Sequence, residues 1–292
     1  MDVVELGAML IRVAEQVGHG LGSVLNVDEE LRERFDRIPT QLGSYGVDPF
    51  GFDPEFLKKV IGVSAWFYRN YFRCQTFGLE NIPQGRCFII ANHSGQLPFD
   101  GAMIGSALLM DAEPPRFVRS MVERFVPETP FVSPFLARCG QILGTPDNCR
   151  RLLAAGEAIQ IFPEGVRGLN KTWDKRYQLQ RFGQGFMRLA IETDTPIIPT
   201  VVIGAEEQSR SYFDLQAIGK LVGMPACPVT FPPVLGLLPL PTRYRIHFGT
   251  PMRFDGDAND EDEVIVAKVA KVKATMQRMI DKGLAERQSV FF

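Results

Sequence analysis

The feature that most constrains this chain is an alternation: from Arg73 onward, short β-rich runs take turns with helical stretches. The β-rich runs fall at Cys87–Ala91, Arg116–Val118, Gln141–Leu143, Ala158–Phe162, Ile197–Ile203 and Arg243–Phe248. Helical stretches lie between them near Gly101–Met110, Asn148–Ala155 and Phe182–Glu192. Parallel strands need long crossovers, which helices supply, so the rhythm predicts an α/β fold: a mixed, largely parallel sheet flanked by helices. Beyond it, Asp260-Glu261-Asp262-Glu263 suits a helix N-terminus. Ile265, Val269, Val272, Met276 and Ile280 then form one apolar stripe, which predicts a long packing helix.

The first 72 residues read differently, as an N-terminal helical extension. Val3, Leu6, Leu10, Val13 and Val17 recur at helical steps, and Gly18, Gly20 and Gly22 end the pattern. The polar face holds Asp2, Glu5, Arg12 and Glu15, too acidic for an anionic-lipid anchor, so packing on protein is favoured. Asp28 to Arg37 suggests a solvated helix, and residues 38 to 54, rich in Pro and Gly, a loop. From Phe56 to Arg73, aromatic residues interleave with Lys58, Lys59, Arg69 and Arg73. That pattern fits a membrane-surface helix and a core helix with snorkelling ends equally well. No repeat or low-complexity linker interrupts residues 73–292, which read as one α/β domain.

Composition excludes several classes. At 292 residues, 45% hydrophobic and 23% charged, the chain can bury a substantial core. A net charge of −2 argues against nucleic acid as a partner. The five cysteines form no C-x-x-C pair and no cluster with histidine, so disulfides and a metal site are not expected. The start, Met1-Asp2-Val3-Val4-Glu5, lacks the basic region of a secretory signal. The longest uncharged stretch, Leu221–Thr242, carries six prolines and cannot be a spanning helix. Its leucines suit either contact with a bilayer surface or acyl chain, or an ordered loop over the sheet edge.

Two stretches carry candidate chemistry. The first runs Ile89-Ile90-Ala91-Asn92-His93-Ser94-Gly95-Gln96-Leu97-Pro98-Phe99-Asp100. An imidazole at a strand's carboxyl end, with a carboxylate close by, is suited to a general base and the group that orients it. His19, among glycines, and His247, on a strand face, have no such context. The second is Ile161-Phe162-Pro163-Glu164-Gly165-Val166-Arg167-Gly168. There an apolar strand ends in a turn offering Glu164 and Arg167, whose guanidinium is suited to phosphate. A plain surface ion pair between the two is the alternative.

Together with Thr195-Pro196-Ile197-Ile198-Pro199, these stretches resemble, in order and in context, the PlsC-like glycerolipid acyltransferase family that includes lysophosphatidic acid acyltransferase. The resemblance covers roughly residues 75 to 205. It implies acyl transfer from a co-substrate, acyl-CoA or acyl-carrier protein, to a lipid hydroxyl, with no other cofactor. His93 would be the general base and Asp100 its orienting carboxylate. Asn92, Ser94, Gly95, Glu164, Gly165 and Arg167 would shape the substrate site, Arg167 on a phosphate and Glu164 orienting Arg167. Backbone N–H groups of Ser94–Gln96 or of Gly165 would bind the oxyanion. Such an enzyme would work peripherally at the cytoplasmic face of a membrane.

The sequence departs from the family at two places. Six residues separate His93 from Asp100, two more than the family's usual motif. Along a continuous helix that would set them about 10.5 Å apart, so the dyad requires a bend, for which Gly95 and Pro98 are suited. The middle motif, which usually ends in a basic residue after a strand, here runs Leu143-Gly144-Thr145-Pro146-Asp147. That opens a second reading, a neutral acceptor such as diacylglycerol or a long-chain alcohol. Arg167, Lys171, Lys175, Arg176 and Arg181, against Asp174 alone, form a +4 stretch available for a headgroup. A non-catalytic lipid-binding protein on the same fold is the reading from another class.

Overall fold

The computed structural model describes residues 29–94, 98–124, 132–169, 171–209, 211–214, 228–230 and 239–291. The helix expected over Val3–Val17, His19, Gly95 and most of Leu221–Thr242 lie outside them. In chain order the helices are α1 (Glu29–Asp36), α2 (Pro54–Trp66), α3 (Phe99–Met110), α4 (Val132–Arg138), α5 (Pro146–Ala154), α6 (Val166–Leu169), α7 (Gly185–Glu192) and α8 (Asp262–Glu286). The strands are β1 (Gln75–Phe77), β2 (Cys87–Ala91), β3 (Val118–Val122), β4 (Ile142–Leu143), β5 (Ala158–Ile161), β6 (Ile197–Ile203), β7 (Ser211–Asp214), β8 (Pro228–Thr230) and β9 (Arg245–Phe248).

Seven strands form one sheet in the order β1-β9-β6-β2-β5-β3-β4, and β7 and β8 make a separate antiparallel ribbon. All neighbours in the large sheet run parallel except β6 and β9. The expected mixed, largely parallel sheet is therefore present, with β2 at its centre. Every residue of β2 is buried, and the strand divides its side chains by the two-residue period. Cys87, Ile89 and Ala91 join one core cluster, with residues of α1, α2 and α3. Phe88 and Ile90 join the opposite one, with residues of α5, α7 and α8. The stripe Ile265, Val269, Val272, Met276 and Ile280 closes that second layer, each at most 6% exposed.

One expectation changes and one pair of alternatives is decided. The helix Glu29–Asp36 is not simply solvated, because Leu31 and Phe35 are buried in the first core cluster. The aromatic stretch after Phe56 also belongs to that core. Tyr68, Tyr71 and Phe72 are buried, and Phe72 stacks on Tyr244 at 4.3 Å between ring centroids. Lys58 is paired with Asp36 at 2.6 Å and Glu55 at 2.9 Å. The chain leaves α2 through a π-helical turn, Phe67–Tyr71, that feeds these rings inward. The described part of the extension thus shares the core of the α/β domain. Among the described residues, no helix is long and apolar enough to cross a membrane.

Candidate active site

The site forms where β2 and its parallel neighbour β5 end side by side. Asn92 and His93 leave β2, and Phe162-Pro163-Glu164 leaves β5. Crevices at the carboxyl ends of parallel strands are the usual ligand sites of such sheets. Asp100 enters from the first turn of α3, one residue after the helix begins.

His93 and Asp100 meet. The ring Nδ1 lies 2.8 Å from Asp100 Oδ2, although the two lie seven positions apart in the chain. The Asp100 side chain is completely buried, and that of His93 is 11% exposed. Asp100 is fixed by two further donors, the N–H of Ser94 at 2.9 Å and of Gly101 at 2.8 Å. The Ser94 bond draws the chain after β2 back over the carboxylate. The imidazole lies flat on the Phe162 ring, centroids 4.1 Å apart and planes 21° apart. With Nδ1 bound to the carboxylate, Nε2 is the nitrogen left to meet a substrate.

The other expected site residues divide. Arg167 sits exposed on α6. Ser94 Oγ is buried with no hydrogen-bond partner among the described residues, while its N–H is spent on Asp100. The Gly165 N–H is likewise spent, on the Phe162 carbonyl at 3.0 Å, so neither amide is free for an oxyanion. Gly165 has φ +56°, and a Cβ there would stand 2.6 Å from Glu123 Oε1. An exposed carboxylate therefore flanks the turn that bears Arg167. Asn92 does not face a substrate: fully buried, its amide bonds the Val202 carbonyl at 3.1 Å and the Val202 N–H at 2.8 Å, tying β2 to β6.

Glu164 corrects the expectation most. Among the described residues it has no ion pair with Arg167 and does not orient it. Its buried carboxylate accepts the His93 N–H at 3.1 Å and the Gln180 N–H at 2.7 Å. The motif after β5 thus grips the backbone of the histidine after β2. Lys171 also leaves the expected basic stretch. It is buried 3.7 Å from Glu164 and 2.6 Å from Glu206, a carboxyl pushed up by burial and pulled down by Lys171. Arg176 folds over the Trp173 ring. At the missing basic position, Thr145 caps α5 by accepting the Asn148 N–H at 3.3 Å, and Pro146 follows at the first helical position.

Sequence reasoning missed Glu206 as part of this site, and it had Lys171 only as a cation available for a headgroup and Gly168 only as the end of the second stretch. Gly168 touches it because a Cβ there would lie 2.9 Å from His93 Cβ and from the His93 carbonyl oxygen. Its spacing three residues after Gly165 was the only signal. Lys171 and Glu206 are 35 residues apart, and no local pattern links them.

A buried histidine–carboxylate pair at a strand end, backed by a second carboxylate, is a site equipped for proton transfer at a hydroxyl. The chain belongs to the acyltransferase family: the family model described as Acyltransferase matches residues 73–203, which hold His93, Asp100, Glu164 and Arg167. It is an acyltransferase. It is 38% identical over 261 residues to an uncharacterized protein of Mycobacterium tuberculosis, covering 86% of this chain and 73% of the other. It is 28% identical over 206 residues to a Gallus gallus protein named DGAT1/2-independent enzyme synthesizing storage lipids, covering 70% of this chain and 58% of that one. Among solved structures, the 1-acyl-sn-glycerophosphate (LPA) acyltransferase PlsC from Thermotoga maritima aligns with 98% of this chain and 91% of its own, at 17% identity and a TM-score of 0.49.

Proposed function

We propose that this acyltransferase moves a fatty acyl group from an acyl-CoA or acyl-carrier-protein thioester to a glycerolipid hydroxyl, with His93 as general base. The observation that carries the reading is the 2.8 Å contact between His93 Nδ1 and the buried Asp100 carboxylate. Asp100 holds the tautomer that leaves Nε2 unprotonated and stabilises the imidazolium that forms. The acceptor hydroxyl gives its proton to Nε2 as its oxygen attacks the thioester carbonyl. The tetrahedral intermediate collapses with cleavage of the C–S bond, and the imidazolium returns the proton to the departing thiolate. The hydroxyl is itself the nucleophile, so no acyl-enzyme forms. Arg167, exposed at the rim, is the side chain offered to the substrates. Substrates this apolar place the reaction at a membrane surface, to which the protein would bind peripherally.

Within this reading, the structure of the rim favours an acceptor without phosphate. Glu123 stands against Gly165, and Thr145 caps a helix where a second cation would bind phosphate. A carboxylate at the turn that leads into Arg167 repels an anionic headgroup. The name of the Gallus gallus relative, an enzyme of storage-lipid synthesis, points the same way.

The test offers purified protein a radiolabelled acyl-CoA, or the acyl-carrier-protein thioester, with lysophosphatidic acid, other lysophospholipids, diacylglycerol and a long-chain alcohol in vesicles. Transfer should occur and favour a phosphate-free alcohol, and His93→Ala should abolish it in a protein that still folds. Full activity in His93→Ala sinks the assignment of the base. Vesicle binding without consumption of any thioester would mark a non-catalytic lipid-binding protein.

A further inference from the structure

Behind the histidine lies a charge cluster that acyl transfer does not itself require. The Glu164 side chain has no solvent exposure, that of Lys171 is 4% exposed and that of Glu206 is 5% exposed. They come from three separate places: the turn after β5, the segment following α6, and the chain just past β6. The Lys171 ammonium stands between the two carboxylates, 2.6 Å from Glu206 and 3.7 Å from Glu164. None of these distances includes the imidazole. The link to it is the Glu164 bond to the His93 N–H, at 3.1 Å.

Stability alone is a weak reason for such a cluster. Buried ion pairs exchanged for packed apolar residues often leave stability unchanged or improved, because desolvation consumes most of the attraction. What the ions do supply is direction. The Glu164 carboxylate must keep one oxygen on the His93 N–H and the other on the Gln180 N–H, and the ammonium lies on the Gln180 side, beside Oε2. Gly168 packs on the same peptide, so the His93 backbone has little room to settle elsewhere.

We propose that Lys171 and Glu206 are positioning residues for the catalytic base: Glu206 anchors Lys171, Lys171 fixes the Glu164 carboxylate across the His93 N–H, and that bond sets where the imidazole meets the hydroxyl. The proposal rests on His93 acting as the base. Small misplacements of a catalytic group cost large factors in rate while leaving substrate binding nearly intact.

Lys171→Met alone strands two buried carboxylates and is prone to misfold. The double variant Lys171→Met/Glu206→Gln removes the outer pair as a unit and is the decisive one. Its melting temperature should stay close to wild type, kcat should fall at least about 10-fold, and KM for both substrates should change by less than about 2-fold. A kcat restored to wild type along with the melting temperature would make Lys171 merely the partner of Glu206 and overturn the proposal. A second measurement does not depend on turnover. With only three histidines in the chain, 15N-histidine labelling resolves the His93 amide, identified by its loss in His93→Ala. Its proton resonance should move upfield in the double variant as the carboxylate bond lengthens; an unmoved resonance overturns the proposal even if the wild-type protein transfers no acyl group. His93→Ala retaining activity would instead remove the assigned base and leave the cluster's structural effect intact.

Discussion

Asp100→Asn is the sharpest perturbation of the base, because every bond the carboxylate makes requires an acceptor. Oδ2 accepts both His93 Nδ1–H and the Ser94 N–H, and Oδ1 accepts the Gly101 N–H. An asparagine replaces one of these oxygens with a donor. Placed toward His93, the new NH2 forces Nδ1 to become the acceptor and moves the ring proton to Nε2, the atom that must take the substrate's proton. It also opposes the Ser94 N–H. Turned the other way, the NH2 opposes the Gly101 N–H and keeps the productive tautomer, but the neutral oxygen no longer stabilises the imidazolium. Either way a buried donor loses its partner, at a cost of about 1–3 kcal/mol in stability. The catalytic loss is larger: a wrong tautomer and an unbalanced imidazolium should lower kcat by about a thousandfold, equivalent to about 4 kcal/mol of barrier. The assay is acyl transfer with the preferred acceptor, run beside thermal unfolding and substrate titration. KM should stay near wild type. A kcat within about 3-fold of wild type in a folded variant would refute the role of the dyad.

Other expectations follow from the same contacts. Gly168→Ala should displace the His93 peptide and reduce kcat about 10- to 100-fold in a protein that still folds, since its Cβ would stand 2.9 Å from His93 Cβ and carbonyl oxygen. Unchanged kinetics would show that the loop yields freely. Arg119→Met should cost about 3–5 kcal/mol in chemical denaturation by stranding buried Asp48, its partner at 2.7 Å; a loss under about 1 kcal/mol would contradict that. His247 stacks on Phe77, and burial, with Arg245 nearby, lowers its pKa to about 4 from 6.5. Because the folded state resists protonation, its contribution is complete above about pH 6.5 and is lost as pH falls from there toward 4. After allowance for solvent screening, His247→Gln should remove about 1 kcal/mol of that acid-side loss, read as a flatter melting-temperature profile.

How much of this was legible beforehand varies with the range of the signal. The β-rich run Cys87–Ala91, the apolar stripe of the last helix and the helical stretch near Asn148–Ala155 are local patterns, and each appears close to where the residues place it. The aromatic run after Phe56 was ambiguous because interfacial and core helices use the same residue types. Only the neighbours decide, and here Phe99 and Tyr244 meet those rings. The edge strand Gln75–Phe77 was missed because three residues carry no periodicity; pairing with Arg245–His247 makes it a strand.

The site divides along the same line. Asn92-His93, Asp100 and Phe162–Arg167 mark a candidate site from sequence because strand ends with those groups are few and ordered along the chain. Their spacing, however, argued against the dyad until the fold returned Asp100 to within 2.8 Å of the ring, under the Ser94 N–H. Residue types and their order were enough for the alternating architecture, the family and the residues suited to carry protons. They were not enough to show that Asn92 ties two strands, that Glu164 holds the histidine's backbone rather than a substrate, or that Lys171 is buried against Glu206. The physical reason is that residue type and local period encode which surfaces are buried. A buried polar group takes its role from partners brought near by chain crossings, 71 residues away for His93 and Glu164, and 110 for Asn92 and Val202.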